Sequence, residues 1–136
     1  HPHLGCIPGL ALDLTSTDEH GQLWNFGIPS LRMKAERLLE EQRPALLIGS
    51  PMCTRFSNLQ NLNDRRRDPE TVRREKEAGR LHLAWCCRLY VTQAAMGCYL
   101  LHEHPAFATS WNEPCVRALL ALKGVNRVLA DQCQFG

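Results

Sequence analysis

The chain has 136 residues, 44% of them hydrophobic and 22% charged, with a formal net charge of +2. That composition fits one globular domain with its own core, spanning residues 1–136, and excludes a disordered or strongly basic polymer. No apolar run reaches the roughly 18 residues that a bilayer crossing needs, and the His1-Pro2-His3-Leu4 start carries no signal-peptide pattern.

The first apolar run covers residues 10–14 and predicts a strand ending at Asp13. A helix is expected from Ser30, a good N-cap, with Leu31, Leu38 and Leu39 on one side and Pro44 as its stop. Residues 45–49 read as the second strand. A long loop follows, with Asp68 and Pro69 then opening a helix that Gly97 can end near Met96. Leu81, Trp85, Leu89 and Ala95 form its expected apolar stripe. Residues 98–102 and 125–130 give the third and fourth strands, and between them a helix opens at Asn112 and Glu113-Pro114 and closes at Gly124. The runs are continuous rather than alternating, as in strands buried on both faces. Strands separated by helices imply an α/β fold, mainly a parallel sheet with flanking helices; an all-helical fold is the competing reading.

Seven cysteines occur, at Cys6, Cys53, Cys86, Cys87, Cys98, Cys115 and Cys133. Their number is odd and no C-x-x-C pair exists, which argues against a zinc ribbon or a thioredoxin motif. Reduced thiols in an intracellular compartment, nuclear or cytoplasmic, are the expectation, most of them as small buried apolar groups.

In open α/β sheets ligands bind beyond the carboxyl ends of the strands. Those ends carry Asp13; Ser50-Pro51-Met52-Cys53; His102-Glu103-His104-Pro105; and Asp131-Gln132-Cys133. Cys53 is the candidate nucleophile, with Arg55 near enough in sequence to favour its thiolate; the plain alternative is a structural thiol. Glu103 is the candidate acid, since a partly desolvated carboxyl holds its proton at higher pH; the alternative is a salt bridge to an arginine. His102 and His104 could pair on a metal, but no third ligand has suitable spacing, so no metal is assigned. Arg65, Arg66, Arg67, Arg73, Arg74, Lys76 and Arg80 crowd one stretch among Glu70, Glu75 and Glu77. They form either a phosphate-binding surface or a solvated helix face with internal ion pairs. Trp85 and Leu89 read as core; Trp111 reads as core or as a lid over the site.

The stretch Ile48-Gly49-Ser50-Pro51-Met52-Cys53-Thr54-Arg55-Phe56-Ser57 is similar to the nucleophile loop of cytosine-5 DNA methyltransferases, and Leu101-His102-Glu103-His104-Pro105 stands where that family has a strand ending in Glu-Asn-Val. The chain resembles still more closely the methyltransferase-like segments of retrotransposon-type polyproteins, through residues 50–63, 103–111 and 131–136. The resemblance implies a partial Rossmann-like methyltransferase fold. It also implies a Cys53 adduct to C6 of a flipped cytosine, with Glu103 at ring N3 and methyl transfer from S-adenosylmethionine. Asp13, Ser50 and Pro51 would then contact the cofactor, and Arg55, Ser57, Arg65, Arg66 and Arg67 would contact DNA. Met52 replaces the family's proline and His104 its asparagine. The glycine-rich cofactor motif is missing, and the chain lacks a starting Met. It is therefore expected to be a truncated, catalytic-half piece that binds S-adenosylmethionine poorly alone. Two other readings stand beside the enzyme: an inactive remnant that binds nucleic acid or protein, and a cysteine hydrolase using Cys53 with His102 or His104 as base. Neither the oligomeric state nor the target site is legible.

Overall fold

The computed structural model describes residue 5, residues 7–57 and residues 63–131. The chain divides into two compact units, His1–Ala45 and Leu46–Gly136.

In the first unit, helix α1 spans Pro29–Gln42. Proline at its first position supplies a φ already helical, so the helix begins ahead of Ser30. Arg43 closes it in the left-handed conformation, donating its N–H to the Leu39 carbonyl, and Pro44 follows. Leu31, Ala35 and Leu39 are its buried face. Trp24 is buried as well, with Lys34 Nζ 5.5 Å from its ring centroid. The same ammonium lies 2.7 Å from both Asp18 and Glu19. Its hydrogen bond is the main reason the Asp18 carboxyl drops to about 2. The strand expected at residues 10–14 does not form. Asp13 instead accepts from Thr15 and Ser16 and turns the chain, and Leu10 and Leu14 are exposed.

The second unit is built on a β-α-β element. Strand β1, Leu46–Gly49, pairs in parallel with β2, Tyr99–His102, in the register Leu46 to Tyr99 and Gly49 to His102. Helix α2, Pro69–Ala95, connects them. Its start follows the sequence: Asp68 caps it by accepting from the Thr71 N–H at 2.8 Å, and Pro69 takes the first position. Gly97 follows its end with φ +75°. The buried face of α2 is Leu83, Trp85, Cys86, Cys87, Tyr90 and Gln93. Trp85 is core as expected, but Leu81 and Ala95 are exposed, so the stripe is rotated from the one the sequence suggested. A short helix, α3, covers Pro114–Leu120 and packs on α2 through buried Val116 and Leu119.

Among the described residues the sheet has two strands rather than four. Residues 125–130 carry no strand pairing. Gly124 turns the chain at φ +87°, and Arg127 is tied to the Ala106 carbonyl and stacked 4.2 Å from the Trp111 ring centroid. With so few strands, only one face of the sheet is covered. Leu46 and Ile48 on β1, and their partners Tyr99 and Leu101 on β2, are exposed on the other. The expectation of strands buried on both faces is corrected accordingly. The result is a small mixed α/β unit with a parallel pair, not a full Rossmann sheet. Residues 132–136, the end of the expected fourth strand and its Gln132 and Cys133, lie outside the described residues.

Candidate active site at the strand ends

The parallel pair brings the two sequence motifs to one edge. The Glu103 N–H donates to the Gly49 carbonyl at 2.9 Å, so the residues just beyond β1 and β2 run side by side. From there the Ser50 hydroxyl donates to Glu103 Oε2 at 2.7 Å. Ser50 is exposed and Glu103 half-buried, so the carboxylate keeps a face toward solvent.

A second tie lies one residue further along both segments. The buried His104 ring donates from Nε2 to the Pro51 carbonyl at 2.7 Å, and its Nδ1 lies 2.6 Å from the Ser110 hydroxyl. A carbonyl only accepts, so Nε2 carries a proton, and in the neutral ring Ser110 donates to Nδ1. Pro51 and Ser110 are both buried. Cys53, half-buried, begins the 3-10 turn Thr54–Phe56 directly after this tie. The turn is anchored by buried Phe56, whose N–H donates to the Cys53 carbonyl at 2.9 Å and whose own carbonyl accepts from Thr109 at 3.1 Å. Ser57 closes the turn, its N–H reaching the Thr54 carbonyl.

Gly49 is the residue that lets Tyr90 sit under the strand. A Cβ there would overlap the Tyr90 hydroxyl and stand 2.7 Å from its Cζ. Tyr90 is 1% exposed, and burial raises its pKa. Its protonated hydroxyl therefore donates to His102 Nδ1 at 3.1 Å. Burial first, and the neighbouring His104 second, bring His102 down to about 4. His102 is thus neutral at pH 7, its ring tilted 46° against that of His104 at 4.7 Å and edge-on to Trp111 at 5.5 Å. Trp111 packs beside the histidine pair, its indole N–H donating to Pro105. No group of three or more His, Cys, Asp or Glu side chains among the described residues is arranged to hold a metal.

The basic residues divide into two classes. Arg67 forms a two-bond fork with Glu75, at 2.8 and 2.9 Å, and Arg55 reaches the same carboxylate at 2.8 Å. Arg55 is thereby directed to Glu75. Arg73 pairs with Glu70 and Lys76 with Asp64. Arg65 and Arg66 are exposed at the turn before α2. Sequence reasoning named the arginines but missed Glu75 as their shared partner, because these contacts do not follow a helical i,i+4 spacing.

The three residues that the resemblance assigns to S-adenosylmethionine make these contacts. Asp13, in the first unit, spends Oδ1 on two backbone N–H groups and the Thr15 hydroxyl. Ser50 gives its hydroxyl proton to Glu103, and the Pro51 carbonyl is taken by His104. Sequence reasoning weighed His104 as a metal ligand or a hydrolase base rather than as a clasp on Pro51, and did not single out Ser110.

No protein-family model, curated protein or solved structure matches the chain.

Proposed function

We propose that the strand ends of the second unit form a pyrimidine site of the DNA cytosine-5 methyltransferase kind, with Cys53 as nucleophile and Glu103 as the acid beside it. The observation that carries this reading is the Ser50–Glu103 hydrogen bond. It joins the loop that leads to the thiol to the strand end that bears the carboxyl, and it orients that carboxyl from one side while the other stays open.

In this reading the Cys53 thiolate attacks C6 of an extruded cytosine. The carbon–sulfur bond forms as the C5–C6 double bond opens, and Glu103 delivers a proton to N3. A solvent proton adds at C5. Reversal removes the original C5 hydrogen to water, returns the N3 proton to Glu103 and expels the thiolate. S-adenosylmethionine is the methyl donor that the resemblance implies. Asp13, Ser50 and Pro51 are the residues that the resemblance would place against it, and the steps derived for this chain's own side chains end at the base adduct.

The adduct is testable without any donor. Duplex DNA tritiated at cytosine C5 should lose label to water with the wild-type protein, lose none with Cys53→Ser, and lose it at least about tenfold more slowly with Glu103→Gln. Absence of release by the wild type would sink the catalytic reading. The second reading, a non-enzymatic module that binds nucleic acid, is favoured by the exposed Arg65 and Arg66; it would then stand. A cysteine hydrolase has less support. Both nitrogens of His104 are engaged, and His102 faces Tyr90 with Nδ1 and buries Nε2. No helix among the described residues is long and apolar enough to cross a membrane.

A further inference from the structure

We propose that Glu75 is an internal stand-in for a nucleic-acid phosphate: it holds Arg55 and Arg67 as a DNA backbone would, and DNA gains these two guanidiniums only by displacing it. The inference rests on the nucleic-acid reading above and adds a regulatory element to the same site.

Three observations converge on this carboxylate. Arg67 grips it through both terminal nitrogens, and Arg55 adds a third contact to Oε2 at 2.8 Å. The planar fork that binds a carboxylate in this way binds a phosphate equally well. The side chains of Arg55, Arg67 and Glu75 are 25, 32 and 31% exposed, so a polyanion can reach all three. Lastly, Arg55 lies in the turn that begins at Cys53. That turn is pressed onto α2 where Gly79 leaves room: a Cβ there would stand 3.4 Å from the Arg55 Cβ. The contact with Glu75 thus joins the Cys53 turn, the segment before α2 and α2 itself.

The consequence is electrostatic. Arg55, in the Cys53 turn, and Arg67 are already neutralised in part, and a phosphate that takes them must leave the Glu75 carboxylate beside itself, unpaired. Arg65 and Arg66 carry no such load. The surface therefore binds DNA through fewer net charges than its arginine count suggests, and removing the carboxylate releases the remainder.

Binding of a short duplex DNA, followed by fluorescence anisotropy over a KCl series, reads this directly. Glu75→Gln should bind about tenfold more tightly than wild type at low salt. Its plot of log K against log [KCl] should be steeper by about 1.8, the value for two further phosphate contacts. Adding Arg67→Ala to Glu75→Gln should take back about half of that increase in slope. Glu77→Gln removes the same charge from the same helix and leaves Arg55 and Arg67 on Glu75; its slope should stay near wild type. Equal gains from Glu75→Gln and Glu77→Gln would overturn the stand-in role and leave the nucleic-acid reading intact. If neither wild type nor Glu75→Gln binds DNA, the nucleic-acid reading fails, and the stand-in role with it. A circular-dichroism melt of each variant identifies any loss of fold, and in that event Arg67→Ala alone decides: a wild-type slope lowered by a full contact shows Arg67 already free for DNA and refutes the inference.

Discussion

The Ser50 hydroxyl and the Glu103 carboxylate meet at 2.7 Å across the ends of two parallel strands. This contact links the segment carrying the thiol directly to the carboxyl of the candidate acid. Ser50→Ala removes the donor and leaves the carboxylate to water. Because the pair is at the surface, the cost to folding should be about 1 kcal/mol or less by urea denaturation. Tritium release from cytosine C5 should fall more steeply, by about tenfold, since the carboxyl loses its orientation. An unchanged release rate would remove Ser50 from the site.

The Gly49–Tyr90 contact gives a second test. Gly49→Ala places a methyl group on the Tyr90 hydroxyl, which is fixed in the core. Overpacking of this kind costs about 1–3 kcal/mol. Tyr90→Phe takes away the oxygen nearest the methyl, so the double variant should lose less than the two single losses summed. A coupling energy near zero in the double-mutant cycle would mean the strand does not lie on Tyr90.

His104 makes two buried hydrogen bonds, to Pro51 and Ser110. His104→Ala strands both partners, at a cost of about 2–4 kcal/mol. Amide hydrogen exchange of Phe56, whose N–H closes the Cys53 turn, should accelerate by more than the global loss of stability accounts for. His104→Asn should recover part of that protection.

The pH dependence follows from His102. Its folded pKa is about 4, below the ordinary 6.5, so between those values the unfolded chain binds the extra proton. The neutral ring's contribution to stability is complete above pH 6.5 and is lost as pH falls through that window toward 4. Thermal melts should show Tm declining by roughly 5 °C or more from pH 7 to pH 4.5. Replacing His102 with Gln should flatten that slope. A Tm constant over this range would show that His102 is not buried as a neutral ring.

The sequence determined what depends on near neighbours in the chain. Asp68-Pro69 set the start of α2 and Gly97 its end, because a cap, a fixed φ and a left-handed turn are local chemistry. The apolar runs at residues 45–49 and 98–102 became a parallel pair, and Cys53 and Glu103 follow their ends. Similar runs at residues 10–14 and 125–130 had the same local character and formed no strand, since a strand exists only through a partner. Asp13 satisfied its own turn instead, and Arg127 was drawn to Ala106 and Trp111. The tertiary structure alone decided that Glu75 gathers Arg55 and Arg67, that His104 clasps Pro51, and that Tyr90 occupies the space under Gly49. Each is a contact outside the i,i+3 and i,i+4 spacings of a helix face, and side-chain reach in three dimensions leaves no periodic mark in one.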